Sequence, residues 1–268
     1  MMLLAVALLS FVTCASPATA QTDTVQQAAT LDHPTTATAL LDSCMNSLPR
    51  EHLELTGAIT VRRQRGIILQ EQPYRLALDW GAMPPRVRCD LLDDKGNTAQ
   101  RFTITRRSDR AEIELHSGPT LTTQKAPALS DKIANTDLTW TDLTLDFLWW
   151  HNARLDGADT IKGRACDVVV VTPPNPTADN SGMRLWIDRE ARFLMQAEQL
   201  DSTGKSTRRM WVRSVKKFNN RWLIQELEIE TFGSNVRSRL RVDDVLTENG
   251  TSLPAATAPS VTSDPTTP

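Results

Sequence analysis

The chain has 268 residues, 40% of them hydrophobic and 23% charged, with a formal net charge of −2 at pH 7. That length can bury a full core without covalent cross-links, and the near-neutral balance gives no basis for wholesale attraction to nucleic acid. Four cysteines in so long a chain also exclude a scaffold stapled by disulfides.

Met1 to Val12 is an apolar run of signal-peptide length, and Ala18-Thr19-Ala20 before Gln21 has the small-x-small form of a cleavage site. Residues 1–20 therefore read as an export signal and the compartment as the periplasm. The usual positive charge at the start is missing, since the first Lys or Arg is Arg50. Cys14 would be the attachment point of a lipid anchor, but Phe11-Val12-Thr13 before it lacks the small residue such a site carries. A soluble exported form is the expectation, and no second apolar run is long enough to cross a bilayer. Residues 21–35, rich in Thr, Gln and Ala, read as a flexible lead.

Thr36 to Leu48 places Ala37, Leu40, Leu41, Cys44, Met45 and Leu48 at helical spacing, with Thr36 as a cap and Pro49 as a stop. Strands follow. Leu55, Gly57, Ile59 and Val61 alternate with more polar neighbours, as do Tyr74, Leu76, Leu78 and Trp80. Arg86 to Leu92, Gln100 to Arg106 and Ala111 to Leu115 continue the meander, which dissolves into Pro119 to Ala134.

At Asp137 the alternation breaks. Thr139 followed by Asp142 resembles a capping box, and Trp140, Leu143, Phe147 and Trp150 form an apolar stripe on a helix spanning Thr139 to Trp150. Beyond it, Ile161 and Val168 to Val171 lead into four long alternating runs and a fifth. These are Met183 to Asp188, Phe193 to Leu200, Lys205 to Val215, Arg221 to Phe232 and Asn235 to Val242, separated by polar, glycine-containing turns. Phe193, Met195 and Ala197 are expected on one face, as are Val236, Ser238, Leu240 and Val242. The other face of the last strand reads Asn235, Arg237, Arg239, Arg241, so it faces water. A basic exterior of this kind excludes a lipid-facing barrel. Residues 36–248 are read as one domain of about eleven strands and two helices, and 249–268 as a disordered tail.

The chain carries no nucleophile, metal or phosphate-binding motif around His33, His52, His116 or His151, and no enzyme activity, metal or cofactor is expected. His151 reads as a helix cap, and Asp142 and Asp146 as a solvated pair on one helical face. Arg62-Arg63-Gln64-Arg65 and the group Arg208, Arg209, Arg213, Lys216 and Lys217 read as outer strand faces, with anionic headgroups or an acidic partner as the functional alternative. Trp149-Trp150 fits either core packing or the lining of an apolar cavity.

Several segments together carry a resemblance. Asp137-Leu138-Thr139-Trp140-Thr141-Asp142-Leu143, Phe147-Leu148-Trp149-Trp150, Gly163-Arg164-Ala165-Cys166-Asp167-Val168-Val169, Arg184-Leu185-Trp186-Ile187-Asp188-Arg189, Gln196-Ala197-Glu198, Gly204-Lys205 and Arg221-Trp222 look like the outer-membrane lipoprotein-sorting proteins of the LolA-like superfamily. The resemblance covers about Thr36 to Val242. It implies a mainly β fold, an incomplete and strongly curved antiparallel barrel of about eleven strands with a helical lid over an apolar cavity. It also implies a carrier or chaperone for lipoprotein acyl chains or a related lipid. An inner-membrane release complex and an outer-membrane acceptor would be its partners, and it would act as a monomer. The alternative is a lipid-sensing or scaffold module of the cell envelope that shuttles nothing. From the apolar phase of each element, Leu40, Leu41, Ile59, Val61, Leu76, Leu78, Phe147 and Trp150 are expected to line or cap the cavity. Cys44 and Cys166, both expected near the lid in an oxidising compartment, are the candidate disulfide.

Overall fold

The structure, a computed structural model, describes residues 34–63, 66–108, 110–218 and 221–246. The expected signal, Cys14, most of the lead and the tail lie outside the described residues. An opening helix α1 (Ala37–Ser47) precedes β1 (Leu53–Arg63), β2 (Ile68–Asp79), β3 (Arg86–Leu92), β4 (Thr98–Arg106), β5 (Ala111–Ser117) and β6 (Thr122–Gln124). After a short helix α2 (Trp140–Leu143) and a 3₁₀ turn (Asp146–Trp149) come β7 (Arg154–Ile161), β8 (Arg164–Val171), β9 (Gly182–Asp188) and β10 (Leu194–Leu200). The chain closes on β11 (Ser206–Phe218), β12 (Arg221–Thr231) and β13 (Val236–Leu246).

These thirteen strands form one sheet in the order β6-β5-β4-β3-β2-β1-β13-β12-β11-β10-β9-β8-β7. Every pairing is antiparallel, as short turns between consecutive strands require. Only β1 and β13 pair across the length of the chain, and the sheet stays open between its edges β6 and β7. Two strands exceed the expectation. β6 is a three-residue pairing inside the segment read as a loop, and seven of the eight residues of β7 are exposed, so neither carries an apolar alternation. Backbone pairing defines both, and β7 adds polar contacts from Asp156 to Arg184 and from Asp159 to Trp186.

Curvature follows from what the α2 segment touches. Arg106 of β4 and Arg208 of β11 both reach it, yet they stand six strands apart, which in a flat sheet would be about 29 Å at ~4.8 Å per strand. The sheet therefore curls around this segment as a half-barrel. Its concave face holds the main core, including Leu55, Ile59, Leu76, Phe102, Leu185, Met210, Ile229 and Leu240, with α1 and Trp140, Phe147 and Leu148 packed on it. Close approach fixes one glycine. A Cβ on Gly57, at the register shift between β1 and β13, would sit 1.9 Å from the Arg241 carbonyl oxygen.

Four expectations are corrected here. A register shift between Leu194 and Gln196 sends Leu194 and Ala197 to the main core but Phe193 and Met195 to the other face, where they join Cys166, Val168 and Trp186. The Cys44–Cys166 bridge is absent because the two residues belong to opposite faces of the sheet. Cys44 lies in the concave core, whereas Cys166 alternates with the core residue Val169 and belongs to the outer cluster; both are free thiols, as is Cys89. The single helix over Thr139 to Trp150 is instead α2 and the 3₁₀ turn, broken where Leu145 adopts φ 52°, ψ 32°. Asp142 and Asp146 are also not solvated: both are buried, and the break lets them face opposite halves of the sheet.

Candidate functional site

Two tethers hold the strap from Asp137 to Trp150 against the sheet. At its start Thr139 and Asp142 make the expected capping box, Asp142 Oδ2 accepting from the Thr139 amide at 2.8 Å. The same carboxylate receives the guanidinium of Arg208, which also donates to the Asp137 carbonyl oxygen at 2.6 and 3.1 Å. Burial works against the Arg208 charge, but attraction and hydrogen bonding to Asp142 outweigh it and hold its pKa above the ordinary arginine value. Asp137 is fixed further by Ser238 Oγ on its amide at 2.7 Å and by Lys132 on its carboxylate at 2.8 Å.

At the far end Arg106 pairs with Asp146, whose second oxygen accepts from Trp150 Nε1 at 2.9 Å. Trp149 stacks on Trp80 with ring centroids 5.7 Å apart, and the Arg106 guanidinium lies 5.5 Å from the Trp149 ring. Phe102 meets Trp140 at 4.1 Å. The Trp149-Trp150 pair thus packs as core. Arg208 was expected on an outer face, and its inward position was legible: it shares the phase of Met210 and Val212, both buried.

The outer face of β11 to β13 is a lattice of ion pairs. Glu230 binds Arg209 at 2.5 Å and Arg237 at 2.8 Å, Glu228 binds Arg213 at 2.7 Å, and Glu226 binds Arg239 at 3.4 Å. Trp211 lies between Arg209 and Arg237, 4.9 and 5.7 Å from their guanidinium carbons. The arginines read as water-facing are matched by the glutamates of β12.

An apolar cavity of about 70 Å³ lies between the C-terminal half of α1 and the floor formed by β10, β11 and β12. Cys44, Ser47, Leu48 and Leu145 form one wall; Phe193 to Gln196, Met210 to Val212, Ile224 and Leu227 form the other. Burial pushes the Cys44 thiol up to about 12, which makes it an inert apolar lining group. None of the eight residues expected to line a cavity borders it. Leu40, Leu41, Ile59, Leu76, Phe147 and Trp150 are packed into the main core, Leu78 packs against it, and Val61 is buried outside that cluster. The signal that would have found the cavity is a mismatch of strand lengths. β10 has 7 residues and its neighbour β11 has 13, so half of β11 runs past the end of its partner. No helix of the described residues is long and apolar enough to cross a membrane, and they contain no cluster of three or more metal-ligating side chains.

Comparisons with known proteins fit this architecture. The sequence model of a family described as "-like: Uncharacterized protein" matches residues 119–252, half of the chain. The chain belongs to that family. No curated protein matches the sequence. Solved structures show its fold to be that of the LolA superfamily. An outer membrane lipoprotein-sorting protein domain from Vibrio parahaemolyticus superposes with a TM-score of 0.68 at 11% identity, covering 80% of this chain and 94% of that one. A DUF1329 family protein from Desulfovibrio piger gives 0.66 at 11%, covering 81% and 93%. A LolA superfamily protein from Nitrosomonas europaea gives 0.60 at 14%, covering 79% and 93%. The LolA-like half-barrel here thus has thirteen strands, two of them at its open edges.

Proposed function

We propose that this protein binds lipid acyl chains on the concave face of its half-barrel and carries or chaperones them in the bacterial periplasm, with the acyl chains of lipoproteins as cargo. The cavity beneath α1 carries the reading, because it is a preformed gap lined mainly by apolar residues, Leu48, Leu145, Leu194, Met210, Val212 and Leu227 among them. Each methylene moved from water into such a site contributes roughly 0.8 kcal/mol before ordering costs. The Vibrio structure of similar fold, an outer membrane lipoprotein-sorting protein domain, supports the choice of cargo. Residues 1–20 act in this reading as the export signal, and residues 36–248 as the binding domain. Release and acceptance of the cargo fall to membrane-bound partners.

Native mass spectrometry of the protein purified from a lipid-containing host tests the proposal. Co-purified acyl species that leave on delipidation and rebind on addition of a lipopeptide are expected. A protein that is always empty and takes up no acyl species overturns it in favour of a scaffold that carries no cargo.

A further inference from the structure

The strap and α1 are held in different ways. Two buried arginine–aspartate pairs and the hydrogen bonds to Asp137 anchor the strap to both halves of the sheet. α1 rests on its apolar face, Ala37, Leu40, Leu41 and Cys44, and among the described residues is tied to the sheet by no ion pair, only by neutral hydrogen bonds: Ser47 Oγ donates to the Arg192 carbonyl oxygen at 2.9 Å, and the Cys44 sulfur bonds to the Leu194 backbone. A helix held by apolar contact can lift onto an apolar ligand at little loss, because the ligand replaces the contacts it displaces. A buried ion pair cannot be parted so cheaply.

The cavity beneath α1 adjoins a break in the sheet. Pairing of β10 with β11 stops at Gln196 and Trp211, while β11 continues to Phe218. Past that point the carbonyl oxygens of Val212 and Arg213 receive the ammonium of Lys162, from the β7–β8 turn, at 2.9 and 3.0 Å. Val212 also lines the cavity. Lys162 therefore sets a positive charge at the cavity's edge, and among the described residues no carboxylate forms an ion pair with it. An apolar slot with a single ammonium beside it is complementary to an apolar tail that ends in an anion.

Resting on the acyl-binding part of the reading above, and placing an anionic single-chain lipid rather than a lipoprotein in this cavity, we infer that its ligand is a single acyl chain with an anionic headgroup, that the chain slides under α1 while the strap stays closed, and that Lys162 receives the headgroup. The ammonium exchanges contacts with two neutral carbonyl oxygens for one with an anionic oxygen, in which donor and acceptor are both charged.

Binding of palmitate and of uncharged monopalmitoylglycerol to the delipidated full chain tests this by titration. The parent binds both. Lys162→Met, on an exposed turn, weakens palmitate about tenfold and leaves monopalmitoylglycerol unchanged, which also shows that the variant is folded. Cys44→Leu, which fills the cavity, weakens both. Hydrogen exchange of the parent changes on palmitate binding in Ala37–Ser47 and stays constant over residues 137–150. If Lys162→Met loses neither lipid or both equally, if Cys44→Leu binds both as the parent does, or if exchange changes over 137–150 instead, this assignment is overturned while lipid binding itself stands. Failure of the parent to bind either lipid or a lipopeptide overturns the function proposed above.

Discussion

At the scale of single residues, two positions show how backbone and charge are fixed. Gly57 lies opposite Val242 and Tyr74, and the Tyr74 hydroxyl donates to the same Arg241 carbonyl oxygen that a Cβ on Gly57 would strike. Gly57→Ala must part β1 from β13, and a loss of about 2 kcal/mol is expected in urea unfolding. Asp188 is buried at the end of β9, paired with Arg164 and accepting the amides of Glu190 and Ala191 at 3.0 and 2.6 Å. Burial opposes its charge, but these bonds win and hold its pKa below the ordinary aspartate value of 3.8. Because the folded pKa is depressed, its contribution is complete above pH ~4 and is lost as the pH falls through the folded value. Unfolding between pH 5 and pH 2 should show the parent losing stability more steeply than Asp188→Asn, which should itself be about 2–3 kcal/mol less stable at pH 7.

At the scale of elements, the strap depends on pairs rather than on helix propensity, since α2 has four residues and the following 3₁₀ turn another four. Arg208→Met leaves Asp142 buried without its partner, and a loss of about 3–5 kcal/mol is expected. Adding Asp142→Leu removes the orphaned charge and should recover much of that loss, a coupling that a double-mutant cycle measures. Arg239 offers the contrast. It sits in the outer lattice beside Glu226 and Glu228, which keep Arg213 and Arg237 as partners when it is removed, so Arg239→Gln should cost less than Arg208→Met and leave lipid binding unchanged.

At the scale of the whole molecule, a ligand that occupies only the folded state must raise its stability. Palmitate at one hundred times its dissociation constant adds about 2.7 kcal/mol, which for a domain of this size shifts the unfolding midpoint by about 5–10 °C. A midpoint that does not move with lipid concentration would show that the cavity stays unoccupied.

The sequence by itself determined the elements and the sidedness of most strands. α1 with its Thr36 cap, the capping box at Thr139 and the five runs of the second half all follow from local periodicity and turn chemistry, which act within a few residues. The tertiary structure decided what lies between elements. The register shift at Leu194 reversed Met195, Asp142 and Asp146 turned inward because Arg208 and Arg106 arrive from distant strands, and β6 and β7 are edges without an apolar alternation of their own. The cavity belongs to the same class. It arises because two neighbouring strands differ in length and a helix bridges the step, and such a gap is a property of how surfaces meet, which no single run of residues encodes.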